Sequence, residues 1–346
     1  MNNTDKLSSL NTDQPMVDDS AMDKLSANGP DLQVVPQVTE RSEAQGVALV
    51  LGGGVARGWA HIGVLRAIDE AKIPVSMIAG TSIGAVVGGC YLAGKLDELE
   101  TFSRSITRRN ILKYIDFTLG KSGLIAGNRL AERLDEELGD MLIEDLDRPF
   151  VAVATEIDTG HEVWLENGAL APAIRASYAL PGVFHPVHHM GKYLVDGALV
   201  NPVPVSACRA FEQKTVIAVN LDRLTFARSS VVRSSSLEAC HTGANSTALE
   251  EVPSSWLPFG FGADSSTKAQ KLGITGVMIE AFNIIQDRII RSRLAGDPPD
   301  VTIRPKLAEI GLTDFHKASE SIELGYKETK QKLSSLIDNG FMEAIG

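Results

Sequence analysis

Cysteine is scarce in this 346-residue chain: Cys90, Cys208 and Cys240 stand far apart, so the sequence carries neither a disulfide framework nor a metal-binding cluster. Positive charge is also short, with 33 Lys and Arg against 44 Asp and Glu, a net charge of −11. That balance argues against general nucleic-acid binding, which needs a basic surface to neutralise phosphates. The first 45 residues contain no aromatic residue and account for −5 of the charge. They lack the basic start and apolar core of a secretory signal peptide, and their Asn, Ser, Asp and Gln content reads as a disordered acidic tail, residues 1–45.

What is abundant is glycine, 31 residues, within a 44% hydrophobic composition that can bury a large core. Between Lys72 and Lys95 lie 22 uncharged residues, long enough for a membrane span. Pro74 near the start, Gly80 in the middle and five glycines from 80 to 94 argue instead for a buried strand, a sharp turn and a buried helix. No transmembrane helix is therefore expected.

The remaining pattern alternates strands and helices. Val47–Leu51 reads as a short buried strand, 59–72 as a helix, Val75–Ala79 as a strand and 83–94 as a helix. Strands are expected at Phe150–Ile157, Glu162–Leu165, Lys192–Val195 and Thr215–Leu221, with a turn at Asp158-Thr159-Gly160. Late helices are expected over Thr275–Leu294, closed by Gly296 and Pro298, and from a cap at Asp314 through Leu336. Such alternation indicates an α/β sheet with helices on both faces, over residues 46–340. Residues 225–272 interrupt it as a polar, serine-rich insertion or lid holding the cluster Trp256-Leu257-Pro258-Phe259-Gly260-Phe261.

Two glycine motifs carry chemistry. Gly80-Thr81-Ser82-Ile83-Gly84 is a G-x-S-x-G sequence between a strand and a helix. This is the nucleophile-elbow arrangement, in which a strained turn exposes a serine hydroxyl and flanking side chains would strike backbone. The second motif, Gly52-Gly53-Gly54-Val55-Ala56-Arg57-Gly58, follows a strand and precedes a helix, so its amides can face an anion. Its spacing fits neither a Walker loop, since Trp59 follows Gly58, nor a dinucleotide fingerprint, whose third glycine would come one residue earlier. Stabilising a tetrahedral oxyanion is the better use of Gly52, Gly53 and Gly54.

A base for the serine has two sources. His185, His188 and His189 follow "ASYALPGVF" and are candidates to complete a triad, whereas His61, His161, His241 and His316 have ordinary packed or solvated roles. The competitor is Asp196, at a strand end before Gly197; partial burial would raise its pKa and make it a useful base. Asp-Gly also marks plain turns.

Taken together, the glycine loop with Arg57, the Ser82 elbow, Asp196-Gly197-Ala198 and the segment Ala176–Val187 resemble the patatin-like phospholipases, in that order along the chain. The stretch 291–305, "RSRLAGDPPDVTIRP", is similar to the bacterial branch related to the neuropathy-target-esterase catalytic domain. The resemblance implies a three-layer α/β/α sandwich around a mostly parallel sheet. It also implies a Ser82–Asp196 dyad, an oxyanion hole around Gly52, Gly53 and Gly54, and supporting roles for Arg57, Gly80, Gly84 and Gly197. For Arg57 a surface arginine is the alternative. The implied activity is hydrolysis of carboxylic esters of phospholipids or lysophospholipids, with no cofactor and no metal.

A catalytically silent scaffold that holds lipid or a regulatory partner on the same fold is the alternative function. The basic run Arg104, Arg108, Arg109, Lys113 and Lys121, with the aromatic cluster at 256–261, suggests peripheral contact with a lipid surface rather than a span. The expected location is the cytoplasm.

Overall fold

The computed structural model describes residues 46–107, 128–181, 183–221, 274–338 and 340. The acidic tail and the 225–272 insertion, including Trp256–Phe261, lie outside the described residues, as do Arg108, Arg109, Lys113 and Lys121.

Among the described residues one mixed sheet organises the fold. Its strands are β1 (Val47–Leu51), β2 (Val75–Thr81), β3 (Phe150–Glu156), β4 (Glu162–Leu165), β5 (Val187–His189), β6 (Lys192–Asp196), β7 (Val216–Val219) and β8 (Val301–Ile303). The order is β5-β6-β3-β2-β1-β7-β8, with β4 also paired to β3. From β3 through β8 the neighbours run parallel, whereas β4, β5 and β6 add antiparallel pairs at the β3 side. The helices are α1 (Ala60–Glu70), α2 (Ile83–Leu92), α3 (Leu96–Ser105), α4 (Asn128–Leu138), α5 (Leu170–Ser177), α6 (Val205–Ala210), α7 (Ile274–Gly296) and α8 (Ala318–Asp338).

The central strands lack the apolar–polar alternation of a half-exposed sheet because both faces are covered. Along β1, Val47, Leu49 and Leu51 join one core, with Ile62 and Leu65 of α1, Val87 of α2, Ile174 of α5 and Ile322 of α8. Ala48 and Val50 point the other way, into a smaller core with Val205 and Cys208 of α6 and Ile290 of α7. Helix, sheet and helix layers follow directly from this two-sided burial.

The uncharged stretch 73–94 resolves into β2, the Ser82 turn and α2, most of it buried. Among the described residues no helix is long and apolar enough to cross a membrane. One boundary differs in its cause from the expectation: the Asp314 carboxylate does not cap the last helix but accepts a hydrogen bond from Gly311 N at 3.0 Å. The final helix begins after a single 3-10 turn, Phe315–Lys317.

Candidate active site

Ser82 stands between β2 and α2 with φ 57° and ψ −126°, a left-handed backbone that costs a non-glycine residue about 1–3 kcal/mol. Its neighbours explain why both flanking positions are glycine. A Cβ on Gly80 would lie 2.6 Å from Ala85 N, and one on Gly84 would run into the carbonyl oxygen of Leu51 on β1. The strained turn is held from outside: Ser82 N–H donates to Ser177 Oγ at 2.9 Å, and that hydroxyl donates to Val153 O of β3 at 2.6 Å. Thr81 Oγ1, one residue earlier, donates to Asn201 O at 2.8 Å.

Sheet register brings Asp196 to this turn. Thr81 of β2 pairs with Val153 of β3, and the next β3 residue, Ala154, pairs with Asp196 at the end of β6. Ser82 Oγ donates to Asp196 Oδ2 at 2.6 Å, while Asp196 Oδ1 accepts from Ala198 N at 2.8 Å. The backbone of Asp196 is fixed as well, through its N–H to Ala179 O at 3.0 Å and its carbonyl from Thr155 Oγ1 at 2.9 Å. Its side of the turn leaves no room for a side chain at Gly197, where a Cβ would meet Val153 O.

The pair is buried, Ser82 at 8% and Asp196 at 2% exposure. Burial pushes the Asp196 carboxyl up to about 7 because it penalises the charged form; the hydrogen bonds from Ser82 and Ala198 pull the other way. A carboxylate of this kind takes protons readily near neutral pH.

The glycine loop lies across from the pair, but its amides are not equivalent. Gly52 N–H donates to Val219 O at 3.1 Å and Gly53 N–H to Pro202 O at 2.9 Å. Of the three, the Gly54 amide is the one without a partner among the described residues. A Cβ on Gly53 would meet only ordinary contacts: Ala198 Cβ at 3.5 Å, Ser82 Cβ at 3.7 Å and Gln286 Nε2 of α7 at 3.8 Å. Glycine at 53 therefore leaves open a space bounded by the serine itself.

Two buried basic residues brace this loop. Arg57, 4% exposed, donates from Nε to Ile310 O at 2.9 Å, so the surface-arginine alternative does not hold. His61 Nε2–H donates to Gly52 O at 2.7 Å, and complete burial lowers its pKa to about 4, against the opposing pull of that bond. The imidazole is thus neutral and turned toward the loop.

None of the described histidines hydrogen-bonds to Ser82 or Asp196; the Ser82 hydroxyl goes to Asp196 instead. His185 and His188 line a cavity together with Tyr178 and Ala179, whose lining includes neither Ser82 nor Asp196, and His241 lies outside the described residues. Arg104, the described member of the basic run, is paired with Glu100 at 2.8 Å. Sequence reading missed Ser177, Thr155, Asn201 and Gln286. Ser177 had a signal, since it falls inside the Ala176–Val187 block, but its partner is 95 residues away.

A doubly covered α/β sheet with a strained serine at a strand-to-helix turn has the backbone geometry of a nucleophile elbow. The family model for patatin-like phospholipases matches residues 49–209, which contain the glycine loop, the elbow and Asp196. An uncharacterized NTE family protein of Mycobacterium tuberculosis is 33% identical over 334 residues, covering 85% of this chain and 93% of that protein. Mouse patatin-like phospholipase domain-containing protein 6 is 34% identical over 183 residues, 51% of this chain and 13% of its own length. The crystal structure of VipD from Legionella pneumophila shares the fold, with a TM-score of 0.51 at 13% identity over 84% of this chain and 67% of that one. The chain belongs to the patatin-like phospholipase family.

Proposed function

We propose that the protein is a serine esterase that hydrolyses carboxylic esters of phospholipids or lysophospholipids through Ser82 and Asp196. The observation that carries this reading is the 2.6 Å hydrogen bond from Ser82 Oγ to a buried carboxylate whose pKa burial lifts to about 7.

In the first step Ser82 Oγ attacks the ester carbonyl carbon while its proton passes to Asp196 Oδ2. Negative charge develops on the carbonyl oxygen, which accepts hydrogen bonds from the partnerless Gly54 amide and from the Ile83 amide at the open start of α2. Collapse of this intermediate breaks the bond to the alcohol oxygen, which leaves with the proton held by Asp196. Water then gives a proton to Asp196 and attacks the acyl-serine; fatty acid departs, and the proton returns to Ser82. Asp196 begins and ends each half-reaction as a carboxylate, so no histidine is required. Gly52 and Gly53 shape the hole rather than donate, and Arg57 and His61 hold the loop that presents Gly54.

The test is fatty-acid release from a lysophospholipid by purified protein, beside Ser82→Ala and Asp196→Asn. Turnover by the parent and its loss in both variants supports the proposal. Full turnover by Ser82→Ala refutes it.

A further inference from the structure

Next to the Asp196 backbone lies a cavity of about 270 Å³, lined by Arg175, Tyr178, Ala179, Phe184, His185 and His188 among others. The volume falls below the roughly 300–1,000 Å³ of pockets that enclose a whole drug-sized ligand, so it suits one part of a larger molecule. In a chain of net charge −11 this lining is notable for its sign and its donors. Among the described residues it holds a guanidinium, two imidazoles and a phenol, and no carboxylate. The Tyr178 side chain is 6% exposed, and its buried hydroxyl has no hydrogen-bond partner among the described residues, an arrangement that normally costs about 1–3 kcal/mol. Arg175 is held only loosely, by Asp135 at 3.9 Å across a half-exposed surface.

The position of this cavity is set by the same segment that holds the pair. Ser177 Oγ accepts from Ser82 N, and Ala179 O accepts from Asp196 N. Ala179 itself lines the cavity, so one wall of the cavity is hydrogen-bonded directly to the Asp196 backbone.

We propose that this cavity is the subsite for the phosphate of a phospholipid or lysophospholipid whose acyl ester lies at Ser82. The inference rests on the esterase reading above and deepens it by naming the part of the substrate that is recognised. Arg175 offers a planar fork that matches phosphate geometry, and the imidazole N–H groups and the Tyr178 hydroxyl supply further donors. A neutral ester lacks the group that these donors bind and gains nothing from them.

The test compares the parent with Arg175→Met and with the double variant His185→Gln/His188→Gln. Substrates are a short-chain lysophosphatidylglycerol below its micelle concentration, the monoacylglycerol of the same acyl length, and p-nitrophenyl butyrate. Loss of one charged hydrogen-bonding partner predicts that kcat/KM for the phosphate ester falls about 10-fold or more in Arg175→Met, mainly through KM. The two uncharged esters stay within about twofold of the parent, as befits a contact that they do not make. Inorganic phosphate inhibits turnover of the phosphate ester competitively, and less so in Arg175→Met.

Equal loss on all three esters would mean that Arg175 only supports the fold and would overturn the proposal. So would an Arg175-dependent effect of inorganic phosphate on p-nitrophenyl butyrate without discrimination between the two lipids, which would mark a site for free phosphate. In both cases Ser82-dependent hydrolysis of p-nitrophenyl butyrate persists, and the esterase reading stands. Hydrolysis that survives Ser82→Ala would defeat the esterase reading and the subsite together.

Discussion

Ser82 and Asp196, 114 residues apart in sequence, meet through a 2.6 Å hydrogen bond in a buried setting that leaves 2% of the aspartate exposed. Because the carboxylate must be charged to accept the serine proton, kcat/KM for a neutral ester should rise with pH and level off above about 7. A profile measured from pH 5 to 9 checks this. A plateau reached already at pH 5 would mean that Asp196 is an ordinary carboxylate and not the base.

The same burial makes Asp196 costly for the fold. Its folded-state pKa of about 7 lies above the ordinary value of 3.8, so between those values the folded chain retains a proton that the unfolded chain has lost. Stability therefore falls as pH rises from about 4 to 7, and the penalty persists above that range. Asp196→Asn removes it. The variant should be inactive yet more stable than the parent at pH 8, by about 2–4 kcal/mol, with the difference shrinking toward pH 4. Thermal melts at both pH values decide this, and acid destabilisation from neutral, buried His61, common to both proteins, cancels in the comparison.

Ser177 should matter through geometry. Its hydroxyl links the strained Ser82 amide to Val153 O, and Ser177→Ala leaves both groups short of a partner. Stability should drop by about 1–3 kcal/mol. Turnover should fall about 10-fold, with KM little changed, because the serine loses its fixed attack position. An unaltered kcat in a destabilised protein would limit Ser177 to a structural role.

Glycine-to-alanine changes should separate room for substrate from room for backbone. At Gly84 the new Cβ collides with Leu51 O, and Gly84→Ala should fail to fold or lose more than about 3 kcal/mol. At Gly53 the new Cβ fits at ordinary contact distances, but it fills space beside Ser82. Gly53→Ala should keep the parent's melting temperature and lose most of its esterase activity. Parent-like kinetics in Gly53→Ala would show that substrate does not enter there.

How far these relationships can be read from sequence depends on their range. β1, β2, α1, α2 and the Ser82 turn are local patterns, and glycine at 80 and 84 announces backbone crowding that the structure shows. Asp196 was visible as a residue, but its pairing depends on β2, β3 and β6 lying side by side, and only the family resemblance singled it out. The glycine loop was legible as an anion-facing segment, yet which amide is free depends on Val219 O and Pro202 O, supplied by distant strands and loops. For Arg57 a surface position stayed open beside its supporting role because its partner Ile310 arrives some 250 residues later. Of the three histidines considered as a triad base, His185 and His188 line a cavity with Arg175 and Tyr178, and the Ser82 hydroxyl goes to Asp196 instead.

Active-site labelling of the purified protein with a fluorophosphonate, followed by peptide mass mapping, tests most directly whether Ser82 is an activated nucleophile. The adduct should sit on Ser82 alone, disappear in Ser82→Ala and form far more slowly in Asp196→Asn. An adduct on another residue, or undiminished labelling of Asp196→Asn, would contradict the assignment of this pair.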